Sequence, residues 1–153
     1  MTAMINGSQL RTVLLGNRVA ATNYSLVTET KTLFTVAGGT VLITGLVGVV
    51  TTTMTVANTV KLQANPTTGV TGDLCAATDL GTADTPAGDL LSFQGLKGDS
   101  IVFGVGAVPT LKQPVAVAAG TIEQVTTGTS PDGAITWVLT YIPWDDGASV
   151  TAA

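Results

Sequence analysis

The sequence predicts an all-β protein, an antiparallel two-sheet sandwich or jelly roll with an N-terminal arm. First, the 153 residues include 28 Thr, 19 Val and 6 Ile, and such β-branched side chains are stiff at χ1 and fit a pleated surface. Second, most of the 18 glycines and 6 prolines lie between apolar runs, as turn residues do. Third, eight or nine candidate strands follow one another without a helical repeat, which favours antiparallel sheets over βαβ units.

The length of the chain fits one domain, whose two ends differ from its middle. Near the N-terminus, Ser8 is a candidate N-cap for a short helix with Leu10, Val13 and Leu14 on one side. Such an arm either docks on the domain or reaches a neighbouring subunit. We therefore divide the chain into an arm or docked segment, a β-sandwich domain and a C-terminal tail, at residues 1–25, 26–143 and 144–153.

The strand pattern begins at Leu26 and alternates loosely as far as Val36. The pair Gly38-Gly39 then turns the chain. Residues 40–53 predict one long strand, or two strands with a bulge at Gly45 or Gly48.

The clearest alternation in the chain lies between residues 59 and 64. It predicts a half-buried strand, because alternate side chains of a strand point to opposite faces. One face would carry Thr59, Lys61 and Gln63, and the other Val60, Leu62 and Ala64. Asn65-Pro66 ends this strand, and residues 65–89 follow as a loop region with one short strand near Leu74.

The remaining strands are predicted from short apolar runs. Residues 90–93 and 100–105 form one predicted pair, and residues 115–118 another strand. Residues 122–127 and 134–142 flank Asp132-Gly133, a dipeptide that favours a hairpin turn. In the second strand of this predicted hairpin, the side chains expected to face the core are those of Ile135, Trp137, Leu139 and Tyr141.

A membrane-spanning helix is the alternative for residues 32–60, a stretch of 29 residues without a charge. Several glycines and a dense run of threonines interrupt this stretch, and it has no basic flank that would set its orientation. It therefore predicts two or three uncharged strands and no membrane partner. A net charge of −4 and a pI of about 4.3 also argue against a nucleic-acid partner, which needs a cationic footprint.

The residues that usually carry catalysis are scarce. The chain has no histidine, and its single cysteine, Cys75, is expected to be a small buried hydrophobe. The segment Asp73–Asp89 carries four aspartates and leaves open a Ca²⁺ site, although its spacing matches no EF-hand loop. The sequence thus predicts a non-enzymatic protein with no catalytic residues, no cofactor and no resident metal.

Three aromatic side chains cluster near the C-terminus. Trp137 and Tyr141 share the core-facing side of one predicted strand, so we expect both to be buried. Trp144 follows Pro143 and is expected to anchor a contact with another molecule.

Only 10% of the residues are charged, whereas the surface of a small soluble domain is usually about 25–35% charged. We therefore expect other protein subunits to cover part of this surface. Low charge, Thr-rich strands and an N-terminal arm together indicate a building block of a larger assembly.

Several short strings carry a resemblance to a known group of proteins. They are Leu33-Phe34-Thr35-Val36 with Gly39, Lys61-Leu62-Gln63-Ala64-Asn65-Pro66, Ala119-Gly120-Thr121-Ile122-Glu123, and the ending from Tyr141 to Val150. With these strings, residues 32–153 resemble small virion structural proteins of tailed bacteriophages. The resemblance implies a β-rich protein that decorates the capsid, often as a trimer, or that belongs to the tail.

These observations lead to one main hypothesis and its alternatives. The chain is expected to be a capsid decoration protein that binds the shell as a homo-oligomer, with a trimer favoured. Its partners would be copies of itself and the major capsid protein or another virion protein, on the capsid exterior. The alternatives are a tail component, or a host-surface or carbohydrate-binding module that uses Trp144 and the Asp73–Asp89 segment.

Overall fold

Two antiparallel sheets lie face to face in the computed structural model of the chain, which describes residues 5–153. This arrangement confirms the all-β sandwich. The first four residues of the predicted arm lie outside the described residues. The elements in chain order are α1 Gly7–Leu15, β1 Asn17–Ala20, β2 Tyr24–Ser25, β3 Glu29–Ala37, β4 Val41–Thr52, β5 Asn58–Pro66, β6 Gly72–Asp73, β7 Thr78–Leu80, β8 Asp89–Ser92, β9 Val102–Val105, β10 Val115–Val117, β11 Gly120–Gly128, β12 Ala134–Pro143 and β13 Ser149–Ala152.

The strands divide between two sheets, here named A and B. Sheet A has the order β1-β12-β4-β8-β9, with β2 also paired to β12 and β10 to β4. Sheet B has the order β13-β3-β11-β5-β6, with β7 also paired to β5. The pairing of β8 with β9 confirms the strand pair predicted for residues 90–93 and 100–105.

The inner faces of the two sheets form one core. Trp137 and Phe34 are fully buried there, and the indole Nε1 of Trp137 donates a hydrogen bond of 2.7 Å to Oε1 of Gln124. This bond joins the two sheets, because Trp137 lies on β12 and Gln124 on β11. Burying each large apolar side chain contributes about 1.5–3 kcal/mol, so the core holds the sheets together.

The long uncharged stretch forms strands, as predicted. Its centre is β4, a single strand of 12 residues that lies in the middle of sheet A. The register against β12 shifts between Thr140 and Tyr141, which leaves Thr44 as an extra residue next to Gly45, one of the two predicted bulge sites. Among residues 5–153 there is no helix that combines the length and the apolar character needed to cross a membrane.

The hairpin predicted for residues 122–127 and 134–142 is wrong. β11 pairs with β3 and β5 in sheet B, whereas β12 pairs with β1, β2 and β4 in sheet A. Residues 129–133 therefore cross from one sheet to the other. Five residues reach about 16 Å when extended, which is enough to span the roughly 10 Å between packed sheets.

Hydrogen bonds to the loop between β4 and β5 hold the crossing segment in place. The carboxylate of Asp132 accepts hydrogen bonds of 2.9 Å from the backbone nitrogens of Thr55 and Val56, and one of 2.7 Å from Oγ1 of Thr55. Gly133 has a φ of +85°, the left-handed conformation that was expected of a turn glycine. Asp-Gly thus turns the chain, but it fastens the turn to the β4–β5 loop and does not form a hairpin.

The two ends of the chain are both tied to the sandwich by strands. In the predicted tail, residues 149–152 form β13, which pairs with β3, and Val150 is buried. In the predicted arm, β1 and β2 pair with β12. Within residues 65–89 the structure has two short strands, β6 and β7, one on each side of Leu74.

Candidate interaction surface

The helix α1 is formed but uncovered. None of its residues is buried, and the exposed fractions of Leu10, Val13 and Leu14 are 50%, 73% and 66%. These three apolar side chains share one side of the helix, as the sequence predicts. A helix of nine residues is shorter than the roughly 12–15 residues that an isolated helix needs in water. Among residues 5–153, no other part of the chain buries the apolar stripe of α1.

Both ends of α1 are fixed by hydrogen bonds. At the start, Asn6 is the N-cap where the sequence suggested Ser8: its side chain accepts from the nitrogen of Gln9 at 2.9 Å, and the Gln9 side chain accepts from the Asn6 nitrogen at 3.0 Å. This reciprocal pair is a capping box. At the end, Oγ1 of Thr44 donates to the carbonyl of Leu15. The helix is thus anchored to sheet A by its C-terminal end.

A close approach at Gly16 sets the direction in which α1 leaves the domain. Gly16 has a φ of +83°, and a Cβ atom there would overlap the carbonyl of Tyr141 and lie 2.9 Å from Cγ1 of Ile142. Only glycine fits such a position. The chain therefore turns tightly from α1 into the edge strand β1, and Val13 stays exposed beside a shallow cleft that Ile142 also lines.

The outer face of sheet A, named face A, is almost without charge. Its members follow from the register, because directly opposed residues of antiparallel strands point to the same side. Among the described strand residues on this face, Arg18 is the charged one. Face A consists of Arg18 and Ala20 on β1, Thr136, Val138, Thr140 and Ile142 on β12, Leu42, Gly45, Val47 and Val49 on β4, Leu90 and Ser92 on β8, Val102 and Gly104 on β9 and Ala116 on β10.

The outer face of sheet B, named face B, is polar. It carries a lysine, a glutamate and two aspartates among threonines and amides. Face B consists of Thr30, Thr32 and Thr35 on β3, Thr59, Lys61, Gln63 and Asn65 on β5, Thr121, Glu123, Val125 and Thr127 on β11, Thr151 on β13, Asp73 on β6 and Asp79 on β7. The exposed side predicted for residues 59–64 is part of this face and is confirmed.

Glu123 is the centre of a hydrogen-bond network on face B. Its carboxylate accepts from Nε2 of Gln63 at 2.7 Å, from Oγ1 of Thr121 at 2.7 Å and from Nδ2 of Asn65 at 3.1 Å. Burial by itself would raise the pKa of Glu123, but the bonds from Gln63, Thr121 and Asn65 together outweigh it and lower the pKa. The charge of Glu123 is therefore stabilised inside the face without a cation.

Other polar pairs extend this network across face B. Nζ of Lys61 lies 2.7 Å from Oδ1 of Asp73, and the hydroxyls of Thr59 and Thr127 are 2.7 Å apart. Both pairs join neighbouring strands. Several polar side chains of face B are thus paired with one another within the chain.

The aspartates considered for Ca²⁺ are not brought together. Asp73 pairs with Lys61, and Asp79 accepts from the Thr82 hydroxyl at 2.9 Å. Asp89 lies on β8 in the other sheet and is buried. Over residues 5–153, no group of three or more His, Cys, Asp or Glu side chains is placed to hold a metal ion.

Cys75 is buried, as predicted, and its Sγ lies 3.2 Å from the backbone nitrogen of Leu62, which donates to it. Burial raises the pKa of the Cys75 thiol despite this bond. The thiol is therefore protonated at neutral pH.

The aromatic side chains near the C-terminus divide into two buried ones and one exposed one, as the sequence predicts. Trp137 and Tyr141 are buried in the core, whereas Trp144 is 67% exposed. The backbone nitrogen of Trp144 donates to the carbonyl of Thr40, and the nitrogen of Thr40 donates to Oδ2 of Asp145 at 2.7 Å. These two bonds fix Trp144 beside the turn between β3 and β4; its role as a contact anchor stays a prediction.

Face A was not identified as a site from the sequence. The signal was present in the uncharged residues 32–60 and in the outward positions of β12, but a strand pattern does not tell which strands are neighbours. Only the register shows that Val47 lies opposite Val138, and Leu42 opposite Ile142. Comparison of the chain with protein-family models, with curated proteins and with solved structures found no match.

Proposed function

We propose that this chain is a non-enzymatic structural protein of a phage virion, a capsid decoration protein that binds the shell as a homo-oligomer. The observation that carries the proposal is face A: an almost uncharged, largely apolar sheet surface that adjoins the exposed apolar helix α1. Contiguous apolar surfaces of this kind mark sites of protein–protein contact. The resemblance to small phage virion proteins supplies the class of assembly.

The two faces give the protein an orientation. Face B pairs Lys61 with Asp73 and satisfies the Glu123 carboxylate with hydrogen bonds from Gln63 and other polar side chains. Water at face A meets mainly valine, leucine and threonine, so removing that face from water is favourable by about 25 cal/mol per Å² of apolar area. We infer that face A and α1 point toward protein partners and that face B points toward solvent.

A decoration protein acts through buried area and not through a chemical step. A specific interface usually buries about 1,200–2,000 Å² in total. A sandwich that presents one apolar face to its neighbours stabilises a shell because separating the subunits exposes that area again.

The proposal is tested by locating the chain on intact particles. Antibody-labelled virions are imaged by electron microscopy, and we expect label distributed over the capsid exterior. Label confined to the tail would support the tail component. Particles that contain no copy of this chain would refute a virion role of either kind.

The exposed indole of Trp144 favours one further candidate, a host-surface or carbohydrate-binding module. Asp145 and Asp146 are also exposed beside it, and an aromatic ring with nearby carboxylates suits the face of a sugar. Asp73 and Asp79, which the sequence assigned to the same ligand surface, lie on β6 and β7 of sheet B, whereas Trp144 follows β12 of sheet A. Glycan-array binding that disappears in Trp144→Ala, with a monomeric protein, would favour this module.

A further inference from the structure

We propose that α1 of one copy packs on face A of a second copy of this chain. This inference rests on the proposed homo-oligomer and specifies how its subunits meet. The contact is head-to-tail: each subunit donates its helix to one neighbour and accepts a helix from another.

The chain carries two apolar surfaces that fit each other. One is the exposed stripe of Leu10, Val13 and Leu14 on α1, and the other is the half-buried centre of face A around Val47 and Val138. A helix stripe and a sheet face are the two surfaces that pack together as layers in folded domains. Neither surface carries a charge at these positions, so no ion would be buried without a partner.

The apolar stripe of α1 is not buried on face A of its own chain. Leu15 is held to Thr44, and Gly16 alone separates α1 from β1. With this geometry Val13 and Leu14 stay 73% and 66% exposed. The apolar stripe of α1 is therefore available to another molecule.

The dimensions agree with such a contact. The two long strands of face A, β12 and β4, have 10 and 12 residues, and the strands beside them, β1 and β8, have four each. At about 3.4 Å per residue and about 4.8 Å between strands, face A is about 34 Å long at β12 and about 19 Å wide where the four strands lie side by side. The nine residues of α1 span about 13.5 Å, so a neighbour's helix fits across the face.

A second copy explains both surfaces with one contact. A symmetric pairing of two A faces would cover the sheets but leave both helices exposed. Head-to-tail packing covers the stripe and the face together, and repeated around an axis it closes a ring such as a trimer. The contact between copies is therefore heterologous: it joins the helix of one subunit to face A of the next.

Disulfide trapping in the full-length protein tests the contact. The double variant Val13→Cys/Val47→Cys is oxidised mildly, and non-reducing gels are expected to show covalently linked oligomers. The matched control Val13→Cys/Val125→Cys places the second thiol on face B and is expected to stay monomeric on the gel. Cys75 is buried and present in every variant. Thiols at positions 13 and 47 linked within one chain, or dimers formed by Val47→Cys alone, would overturn the proposal.

A second measurement does not depend on cysteine chemistry. In Leu10→Ser/Leu14→Ser the apolar stripe is removed at two exposed positions, so the sandwich is expected to fold with an unchanged circular dichroism spectrum. Light scattering is expected to show self-association weakened at least tenfold. The matched control Val70→Ser changes another exposed apolar residue, 89% exposed, and should associate as the wild type does.

The two proposals fail in different ways. An oligomer whose mass is unchanged in Leu10→Ser/Leu14→Ser overturns the helix-to-face contact but leaves a homo-oligomeric virion protein in place. Trapped head-to-tail oligomers from a protein that no particle contains would support the contact and refute the virion role.

Discussion

Val138 at the centre of face A and Val125 at the centre of face B are both half-buried valines on long strands. Their neighbours differ. Val138 lies between Ala20 and Val47, whereas Val125 lies between Thr30 and Lys61. The same side chain is thus part of a continuous apolar surface on one sheet and an isolated apolar residue among polar groups on the other.

This difference shows that strand propensity and surface character are set separately. Threonine and valine suit a strand equally well, so both sheets form from a similar composition. Which side chains become neighbours is decided by pairing, and a patch attracts partners only when its apolar residues are contiguous.

The largest expected effect is loss of self-association when a charge enters face A. Val138→Asp places a carboxylate where a neighbouring subunit would have to desolvate it, so we expect monomers by light scattering. Val125→Asp makes the same change on face B and is expected to leave the oligomer intact. Similar behaviour of the two variants would mean that the faces do not differ in function.

The next effect concerns the connection that keeps the two faces on opposite sides. Gly133→Val puts a β-branched residue at a positive φ, and its Cβ would overlap Cγ of Met54. We expect a loss of about 3 kcal/mol in the free energy of unfolding, from backbone strain and overpacking. Lys61→Thr removes the partly exposed pair with Asp73 and is expected to lose at most about 1 kcal/mol. Urea denaturation measures both, and equal losses would contradict the close packing at Gly133.

The smallest effect concerns the network of face B. The pKa of Glu123 is lower in the folded state than its ordinary value of 4.5. The ionised carboxylate therefore stabilises the fold at pH values above 4.5, and this stabilisation is lost as the pH falls through the pKa of the folded state. We expect Glu123→Gln to lose about 1 kcal/mol at pH 7, as for one net hydrogen bond. The difference from the wild type should shrink toward pH 3.

Two features of the chain serve as controls for this pH dependence. Hydrogen bonds from the Thr55 side chain and from the nitrogens of Val56 and Thr55 also lower the pKa of Asp132, so the Glu123→Gln variant should keep part of the acid sensitivity. Asp146→Asn changes an exposed carboxyl group and should follow the wild type at every pH. Thermal unfolding at several pH values provides the measurement, and a gap that stays constant from pH 7 to pH 3 would contradict the role of the Glu123 charge.

Most strands could be predicted because their signal is local. The alternation at Val60 and Leu62, and at Trp137 and Leu139, correctly named the buried sides. The connection at Asp132-Gly133 could not be assigned from the sequence. Each flanking strand has one apolar side, and this pattern is expected both for two strands paired in one sheet and for two strands that lie in opposite sheets. The hydrogen bonds from Thr55 and Val56 that favour the crossing come from far away in the chain.

The sequence by itself determined the all-β class, the buried sides of the strands, the short apolar helix and the scarcity of charge, because each depends on composition or on a period of a few residues. Tertiary structure decided that β11 and β12 belong to different sheets and that apolar outward positions gather on face A while Glu123 and Lys61 gather on face B. The physical reason is that strand pairing joins residues distant in the chain, and the chemistry of a surface depends on those neighbours.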